Sequence, residues 1–320
     1  MANLVVLGNG FDIAHGLNTR YSCFMSYLSQ YEKEPRYYEC EGLDCSNYKF
    51  AYRDSISERD ELKHKFCEEL CKYIPEYDLW NEFEAALGIL DYEEIKENNS
   101  EYLIGYGDDN WKDSANHDYQ LMVGEDLKFS KQISYYFSEW IKIFNTHTYK
   151  MVSSKIICND NIFINFNYTD TLEKTYGIED SKILYIHGKA LRNDKLIVGH
   201  CDNSYFCRGR NFNEDMDFRE CEAEEEIRNY FKSTYKDTKK IITKNLPFFE
   251  SLSSIEEIYI LGHSLSEIDI EYFVKIKKIV VPDCKWIISY YSKDDLDRIS
   301  VFVNYLGIIN YRTIIFEDII

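Results

Sequence analysis

Leu4-Val-Val-Leu7, followed at once by the turn Gly8-Asn-Gly10, is the stretch that decides the fold class. A short continuous apolar run that ends at a glycine is typical of a strand buried on both faces. Similar runs recur at residues 162–166, 183–186, 196–198, 258–261, 286–288 and 313–316. Helical patterns lie between several of them, for example at residues 265–279 and 294–306. This alternation predicts an α/β fold with a doubly wound, mainly parallel sheet.

The middle of the chain has a different character from the two ends. Apolar residues recur there about every four positions, as at Leu62, Phe66, Leu70 and Ile74, which places them on one face of a helix. We therefore expect a mostly helical insertion at residues 31–150. The α/β core would consist of residues 1–30 and 151–320, with a further helical block at about residues 213–252.

The charge balance disfavours anionic partners such as nucleic acids. The 320 residues include 37 Lys and Arg against 56 Asp and Glu, a net charge of −19. Nucleic-acid affinity comes largely from Lys and Arg, so this balance disfavours a nucleic-acid partner and an anionic membrane surface. No apolar stretch approaches the ~20 residues of a membrane span. The ten cysteines form no Cys-x-x-Cys pair, so we expect free thiols in a cytoplasmic protein.

The glycine turn after the first strand is the first candidate site. A Gly-x-Gly turn at this place lets backbone N–H groups approach a pyrophosphate. The dinucleotide fingerprint is incomplete, because Ile13 occupies the position of its third glycine. A tight turn without a ligand is the alternative. Nearby, Arg20 suits a pyrophosphate or loop closure, and Asp12 either contacts the ligand or orders the turn.

Polar residues also follow the later strands. Asn167, Thr169 and Asp170 come after the run at 162–166, and His187 comes after the next run. Ligands of open α/β sheets bind beyond the carboxyl ends of the strands, so these side chains are candidates for one crevice. Alternatively, Thr169 or Asp170 caps a helix that begins at Thr171.

Two further strand ends carry candidates. His200 follows the run at 196–198, which would place a second histidine at a strand end. Gly262 and Ser264 lie where the strand at 258–261 meets the helix predicted at 265–279. Such a junction can bind an anion through its N–H groups.

Four motifs in one order carry a family resemblance. Gly8-Asn-Gly-Phe-Asp12, Phe166-Asn-Tyr-Thr-Asp170, Ile186-His-Gly188 and Leu261-Gly-His-Ser-Leu265 resemble the AbiH family of phage abortive-infection proteins. In the same order they are similar to the wider sirtuin-like fold, which binds NAD. The resemblance implies Asn167 and His187 as catalytic residues, and as dinucleotide-binding residues Gly8, Asn9, Gly10, Asp12, Arg20, Thr169, Asp170, Gly262 and Ser264.

The chain departs from the sirtuin pattern at two places. Asp170 lies one position later than the corresponding sirtuin aspartate, and the paired Cys-x-x-Cys zinc ligands are missing. The resemblance therefore implies hydrolysis of NAD+ to ADP-ribose and nicotinamide, with no metal, rather than deacylation of lysine. Nicotinamide leaves as a neutral molecule, so no general acid is needed. Asn167 would orient water or a ribose hydroxyl, and His187 would accept a proton.

Two other functions stay open at this point. A metal-dependent phosphohydrolase would use acidic and histidine side chains near strand ends, namely Asp12, His15, His187, His200, Asp202 and His263. A non-catalytic sensor would bind a nucleotide in the same crevice. The expected partners are NAD+ or a related dinucleotide, a second copy of the chain, and a phage-derived trigger.

Overall fold

The computed structural model describes residues 2–29, 58–75, 82–144, 154–207 and 217–318. Its central element is a six-stranded, entirely parallel sheet with the strand order 3-2-1-4-5-6. The strands are β1 (Leu4–Leu7), β2 (Ile162–Asn165), β3 (Ile183–Tyr185), β4 (Glu257–Leu261), β5 (Lys285–Tyr290) and β6 (Tyr311–Ile315). The order reverses between β1 and β4, which confirms the predicted doubly wound α/β fold.

Helices connect and flank these strands. The α-helices of the described residues are α1 (Asn9–Ala14), α2 (Tyr21–Leu28), α3 (Glu58–Tyr73), α4 (Phe83–Ala86), α5 (Tyr92–Asn98), α6 (Asp118–Asp126), α7 (Ile133–Phe144), α8 (Thr171–Tyr176), α9 (Ser204–Cys207), α10 (Phe218–Ser233), α11 (Thr238–Lys244), α12 (Leu246–Glu250), α13 (Ile270–Ile279) and α14 (Lys293–Leu306). Within the described segments, no helix combines the length and apolarity needed to cross a membrane.

The chain divides into two compact units. The first consists of Met1–Arg20, Ser138–Ile197 and Asp237–Ile320, and it contains the whole sheet. The second consists of Tyr21–Phe137 and Val198–Lys236. These boundaries differ from the expected ones, because α10 packs against α6 and the Tyr230 hydroxyl donates a hydrogen bond of 3.0 Å to the Leu87 carbonyl. Residues 31–57, 76–81 and 145–150 of the predicted insertion lie outside the described residues.

Both faces of the sheet are buried in the first unit. Side chains alternate along a strand, so Leu4 and Val6 point to one face of β1 while Val5 and Leu7 point to the other. The first pair belongs to an apolar cluster with residues of α13 and α14, and the second pair to a cluster with residues of α1 and α8. This two-sided burial explains why β1 is apolar at every position.

The second unit has an aromatic core of its own. Phe24 makes edge-to-face contacts with Phe83 and Phe137, at ring-centroid distances of 5.5 and 5.3 Å. A buried ion pair lies in the same unit, where Lys236 Nζ is 2.7 Å from Glu84 Oε2. The Lys236 side chain is fully buried, so this carboxylate offsets the cost of removing its charge from water.

The strand predicted at residues 196–198 does not form. The Ile197 N–H donates to the His187 carbonyl at 2.9 Å, and the Tyr168 hydroxyl donates to the Ile197 carbonyl at 3.0 Å. The backbone N–H and carbonyl of Ile197 thus make hydrogen bonds to His187 and Tyr168 instead of to a neighbouring strand. His200 consequently follows no strand and belongs to the second unit, where its Nε2 lies 3.2 Å from the Phe231 carbonyl oxygen.

Two predicted helices are shorter than expected. The helix predicted at residues 265–279 begins only at Ile270, because Leu265 adopts a left-handed conformation with φ 57° that an α-helix cannot contain. The sequence from Trp80 to Leu87 also predicts a short helix; the helix found there extends over Phe83–Ala86, and Trp80 lies outside the described residues. Since β4 ends at Leu261 and α13 begins at Ile270, eight residues separate them. This segment, residues 262–269, is called the β4 loop below.

The turns after β1 and β4 are in direct backbone contact. The Gly8 N–H donates to the Leu261 carbonyl at 3.0 Å, and the Gly10 N–H donates to the Gly262 carbonyl at 2.8 Å. A Cβ atom at Gly262 would lie 2.4 Å from the backbone nitrogen of Phe11. Side chains larger than hydrogen therefore do not fit between the two turns.

Replacing Gly262 by alanine tests this packing. Its φ of +63° and its crowded surroundings both oppose a Cβ atom, whereas Gly307 has a φ of +62° and open space around it. We expect Gly262→Ala to lower the free energy of unfolding by about 2–4 kcal/mol and Gly307→Ala by about 1 kcal/mol, as measured by denaturant unfolding. Equal losses in the two variants would contradict the close packing of the turns.

Candidate active site

The candidate residues converge on the carboxyl edge of the sheet in the first unit. Gly8 and Gly10 follow β1, Asn167 follows β2, His187 follows β3, and Gly262 follows β4. The polar side chains Asn167 and His187 are almost fully buried, at 5% and 3% exposure. Polar groups with so little exposure are retained mostly where they have partners or a function.

Two backbone donors of the glycine turn are used within the protein. The N–H groups of Gly8 and Gly10 donate to the carbonyls of Leu261 and Gly262, and the Gly262 N–H donates to Ser289 Oγ at 2.9 Å. The side chain of Asn9 is also engaged, because it bonds to the carbonyl and the hydroxyl of Thr19. In this arrangement the N–H groups of Gly8 and Gly10 do not face a phosphate.

Arg20 lies beside the same turn. Tyr291 donates a hydrogen bond of 3.0 Å from its hydroxyl to the Gly10 carbonyl. Burial raises the pKa of Tyr291, and the positive charge of Arg20 acts against this rise. Arg20 also follows Thr19, whose carbonyl accepts a hydrogen bond from the Asn9 side chain, so the chain at Arg20 is close to the glycine turn.

Asn167 connects the ends of β1 and β2. Its backbone N–H donates to Asn165 Oδ1 at 3.0 Å, and its Nδ2 donates to the Gly8 carbonyl at 3.0 Å. The second bond fixes the orientation of the side-chain amide, and the first ties the backbone of Asn167 to Asn165. The other polar atom of the side chain is Oδ1, an acceptor that can bind a water or a hydroxyl group.

Asp12 orders the turn from a fully buried position. Its two carboxylate oxygens accept hydrogen bonds from the hydroxyls of Thr169, at 2.7 Å, and Thr171, at 2.8 Å. Burial raises the pKa of Asp12 to about 6, although the two hydroxyls act in the opposite direction. Because both of its oxygens are bonded within the protein, this geometry supports the interpretation that Asp12 orders the turn. Thr169 is held by the same bond.

Asp170 is the N-cap residue of α8, which is one of the two expected alternatives. Its side chain makes no capping hydrogen bond with the helix, and its carboxylate pairs with Lys174 at 3.2 Å. The Thr169 hydroxyl donates to Asp12. Asp170 thus occupies the cap position without the side-chain bond that usually accompanies it.

A carboxylate that sequence reasoning missed lies between two histidines. Asp269 Oδ1 is 3.6 Å from His187 Nε2, and Asp269 Oδ2 is 3.7 Å from His263 Nε2. Asp269 is 8% exposed and is the last residue of the β4 loop. The ring of Phe166 contacts both imidazoles edge-on, at centroid distances of 5.3 and 4.4 Å.

The β4 loop fixes the proton on His263. The Leu265 N–H donates to His263 Nδ1 at 2.9 Å, so Nδ1 is an acceptor and the neutral ring carries its proton on Nε2, towards Asp269. Leu265 has a φ of 57°, which costs an ordinary residue about 1–2 kcal/mol. Such strain is found frequently at functional sites. Ser264 is exposed, and it is not at a helix N-terminus because α13 begins six residues later.

The residues of the metal-phosphohydrolase alternative have different surroundings, although His187 and His263 both face Asp269. Asp12 binds two threonine hydroxyls, His15 bonds to the Phe11 carbonyl and the Tyr176 hydroxyl, and His200 belongs to the second unit. Across the described ranges, no three His, Cys, Asp or Glu side chains are grouped so that they could hold a metal ion.

Asp12 gives a testable dependence of stability on pH. Its pKa is about 6 in the folded chain and 3.8 for an ordinary aspartate, so the native state binds more protons between these values. The contribution of Asp12 to stability is full below pH 3.8 and declines as the pH rises to about 6. We expect the free energy of unfolding of the wild type, relative to Asp12→Asn, to fall by up to about 3 kcal/mol between pH 4 and 7.

Denaturant unfolding at several pH values measures this difference. Asp297→Asn removes an exposed carboxylate and serves as the control, which should follow the wild type. Parallel pH profiles of the wild type and Asp12→Asn would contradict the burial of an ionisable Asp12.

Comparison with known proteins places the chain in a family. The family model described as "Bacteriophage abortive infection AbiH" matches residues 4–290, from the first residue of β1 to the last residue of β5. No curated protein and no solved structure matches the chain. The match includes every candidate residue from Gly8 to Asp269. The chain therefore belongs to the AbiH family of bacteriophage abortive infection proteins.

Proposed function

We propose that this AbiH-family protein is an antiphage effector that hydrolyses NAD+ to ADP-ribose and nicotinamide. Family membership supports the role in abortive infection. The observation that carries the hydrolase is the placement of Asn167 and His187 after two adjacent parallel strands, with the Asp269 carboxylate 3.6 Å from His187. A doubly wound sheet binds its ligands at this edge.

The reaction requires little beyond positioning and one base. Water attacks C1′ of the nicotinamide ribose, the bond from C1′ to the nicotinamide nitrogen breaks, and nicotinamide leaves with the electron pair as a neutral molecule. The proton of the attacking water passes to His187. Asn167 Oδ1 accepts a hydrogen bond from this water or from a ribose hydroxyl, since Asn167 Nδ2 is held by the Gly8 carbonyl.

The diphosphate would lie at the glycine turn. The N–H groups of Gly8 and Gly10 are used within the protein, so the Arg20 guanidinium and the exposed Ser264 hydroxyl are the proposed phosphate donors. The planar guanidinium matches phosphate oxygens and supplies positive charge. That charge matters in a chain with a net charge of −19, which repels an anionic dinucleotide.

The test is NAD+ turnover by protein purified from phage-infected cells. Asn167→Ala and His187→Ala should each reduce nicotinamide release at least about 100-fold, because each removes a group that acts on the reacting water or ribose. In infected cells, NAD+ should fall with the wild type and stay constant with either variant.

Matched controls remove the same side chains at exposed positions. Asn304→Ala and His117→Ala should behave as the wild type, since both residues lie at the surface. The hydrolase is rejected if activated wild type releases no nicotinamide, or if the two site variants release as much as the controls. Binding of NAD+ without turnover in the wild type and in Asn167→Ala would instead support a nucleotide sensor.

A further inference from the structure

Asp269 lies at the carboxyl edge of the sheet, close to His187, and has no part in the function proposed above beyond this proximity. It lies in the first unit, at the end of the β4 loop and directly before α13. Its two oxygens face different imidazoles, at 3.6 Å from His187 Nε2 and 3.7 Å from His263 Nε2. Asp269 thus brings the β4 loop into contact with His187 at the end of β3.

We propose that Asp269 is a positioning residue that orients the His187 ring and holds its proton on Nε2, so that Nδ1 is the nitrogen that accepts a proton. A neutral imidazole has one N–H donor and one acceptor, and the group that each nitrogen faces selects the tautomer. The carboxylate faces Nε2 of His187, which makes Nε2 the favoured position of the proton. In that tautomer Nδ1 is the acceptor nitrogen of the ring.

His263 fixes Asp269 from the opposite side. Its Nδ1 accepts the Leu265 N–H at 2.9 Å, so its Nε2–H is directed at Asp269 Oδ2. Leu265, whose N–H makes this bond, has a left-handed backbone conformation, so holding His263 in this way costs conformational free energy. One oxygen of Asp269 thus faces His263 Nε2, and the other oxygen faces His187 Nε2.

The surroundings favour this arrangement. The rings of Phe166 and Tyr272 pack on His187, at centroid distances of 5.3 and 5.7 Å, and both residues are buried. Electrostatic interactions are stronger among apolar neighbours than in water. Distances of 3.6 and 3.7 Å are slightly longer than hydrogen bonds, as catalytic hydrogen bonds frequently are before a substrate binds.

Side-chain NMR of 15N-histidine-labelled protein tests the inference without any substrate. Long-range 1H–15N couplings distinguish the two tautomers, and the His187→Gln and His263→Gln variants assign the signals. Both rings of the wild type should carry their proton on Nε2. In Asp269→Asn the preference of His187 should be lost while His263 keeps its tautomer, because the Leu265 N–H still faces its Nδ1.

Two NMR results would overturn the inference. A wild-type His187 with its proton on Nδ1 contradicts it directly, and this result does not depend on whether Asp269→Asn folds. An unchanged His187 tautomer in folded Asp269→Asn shows that the carboxylate does not hold the proton.

Kinetics supply a second readout, which rests on the proposed function. Asp269→Asn should lower kcat for NAD+ hydrolysis about 10- to 100-fold and leave KM within about twofold, because Asp269 acts through His187 and does not bind substrate. Glu267→Gln, which removes an exposed carboxylate from the same loop, should match the wild type. Equal kcat for Asp269→Asn and the wild type would overturn the positioning role.

The two proposals fail in different ways. If activated wild type does not hydrolyse NAD+ but the predicted tautomers are found, the hydrolase is rejected and the role of Asp269 stands. If hydrolysis depends on Asn167 and His187 but the tautomer of His187 does not depend on Asp269, the hydrolase stands and the role of Asp269 is rejected.

Discussion

The backbone contact between the turns after β1 and β4 is the constraint on which the candidate site depends. Two N–H···O bonds of 3.0 and 2.8 Å join the turns, and the absence of side chains at Gly8, Gly10 and Gly262 allows them to form. The contact fixes where the β4 loop begins. The position of the loop in turn decides where His263 and Asp269 lie relative to the ends of β2 and β3.

Two carboxylates at this edge have different roles because their surroundings differ. Asp12 is fully buried, accepts two threonine hydroxyls and has a pKa of about 6, so it connects α1 to the segment before α8. Asp269 faces two imidazoles and can stabilise positive charge on either of them. In a chain with this acidic balance, the positive charge of Arg20 would favour the proposed binding of an anionic dinucleotide.

The fold class and part of the site follow from the sequence, because apolar runs and strand-end polar residues have strong local signals. Asn167 and His187 are examples, since each comes directly after a buried run. The run at 196–198 is too short to distinguish a strand from a loop with other hydrogen-bond partners. Asp269 was missed because residues 265–279 have a helical pattern, and the left-handed Leu265 that delays the helix has no signal in the sequence. The sequence does show two acidic residues, Glu267 and Asp269, within five positions of Ser264, and these could have been considered as neighbours of the histidines.

The central claim is that a dinucleotide binds at the carboxyl edge with its nicotinamide ribose beside Asn167 and His187. A crystal structure of the His187→Ala variant grown with NAD+ tests it most directly. We expect intact NAD+ with the ribose within hydrogen-bonding distance of Asn167 Oδ1 and the diphosphate near Arg20. NAD+ bound elsewhere on the chain, or an edge that stays empty at saturating NAD+, would rule out this binding mode.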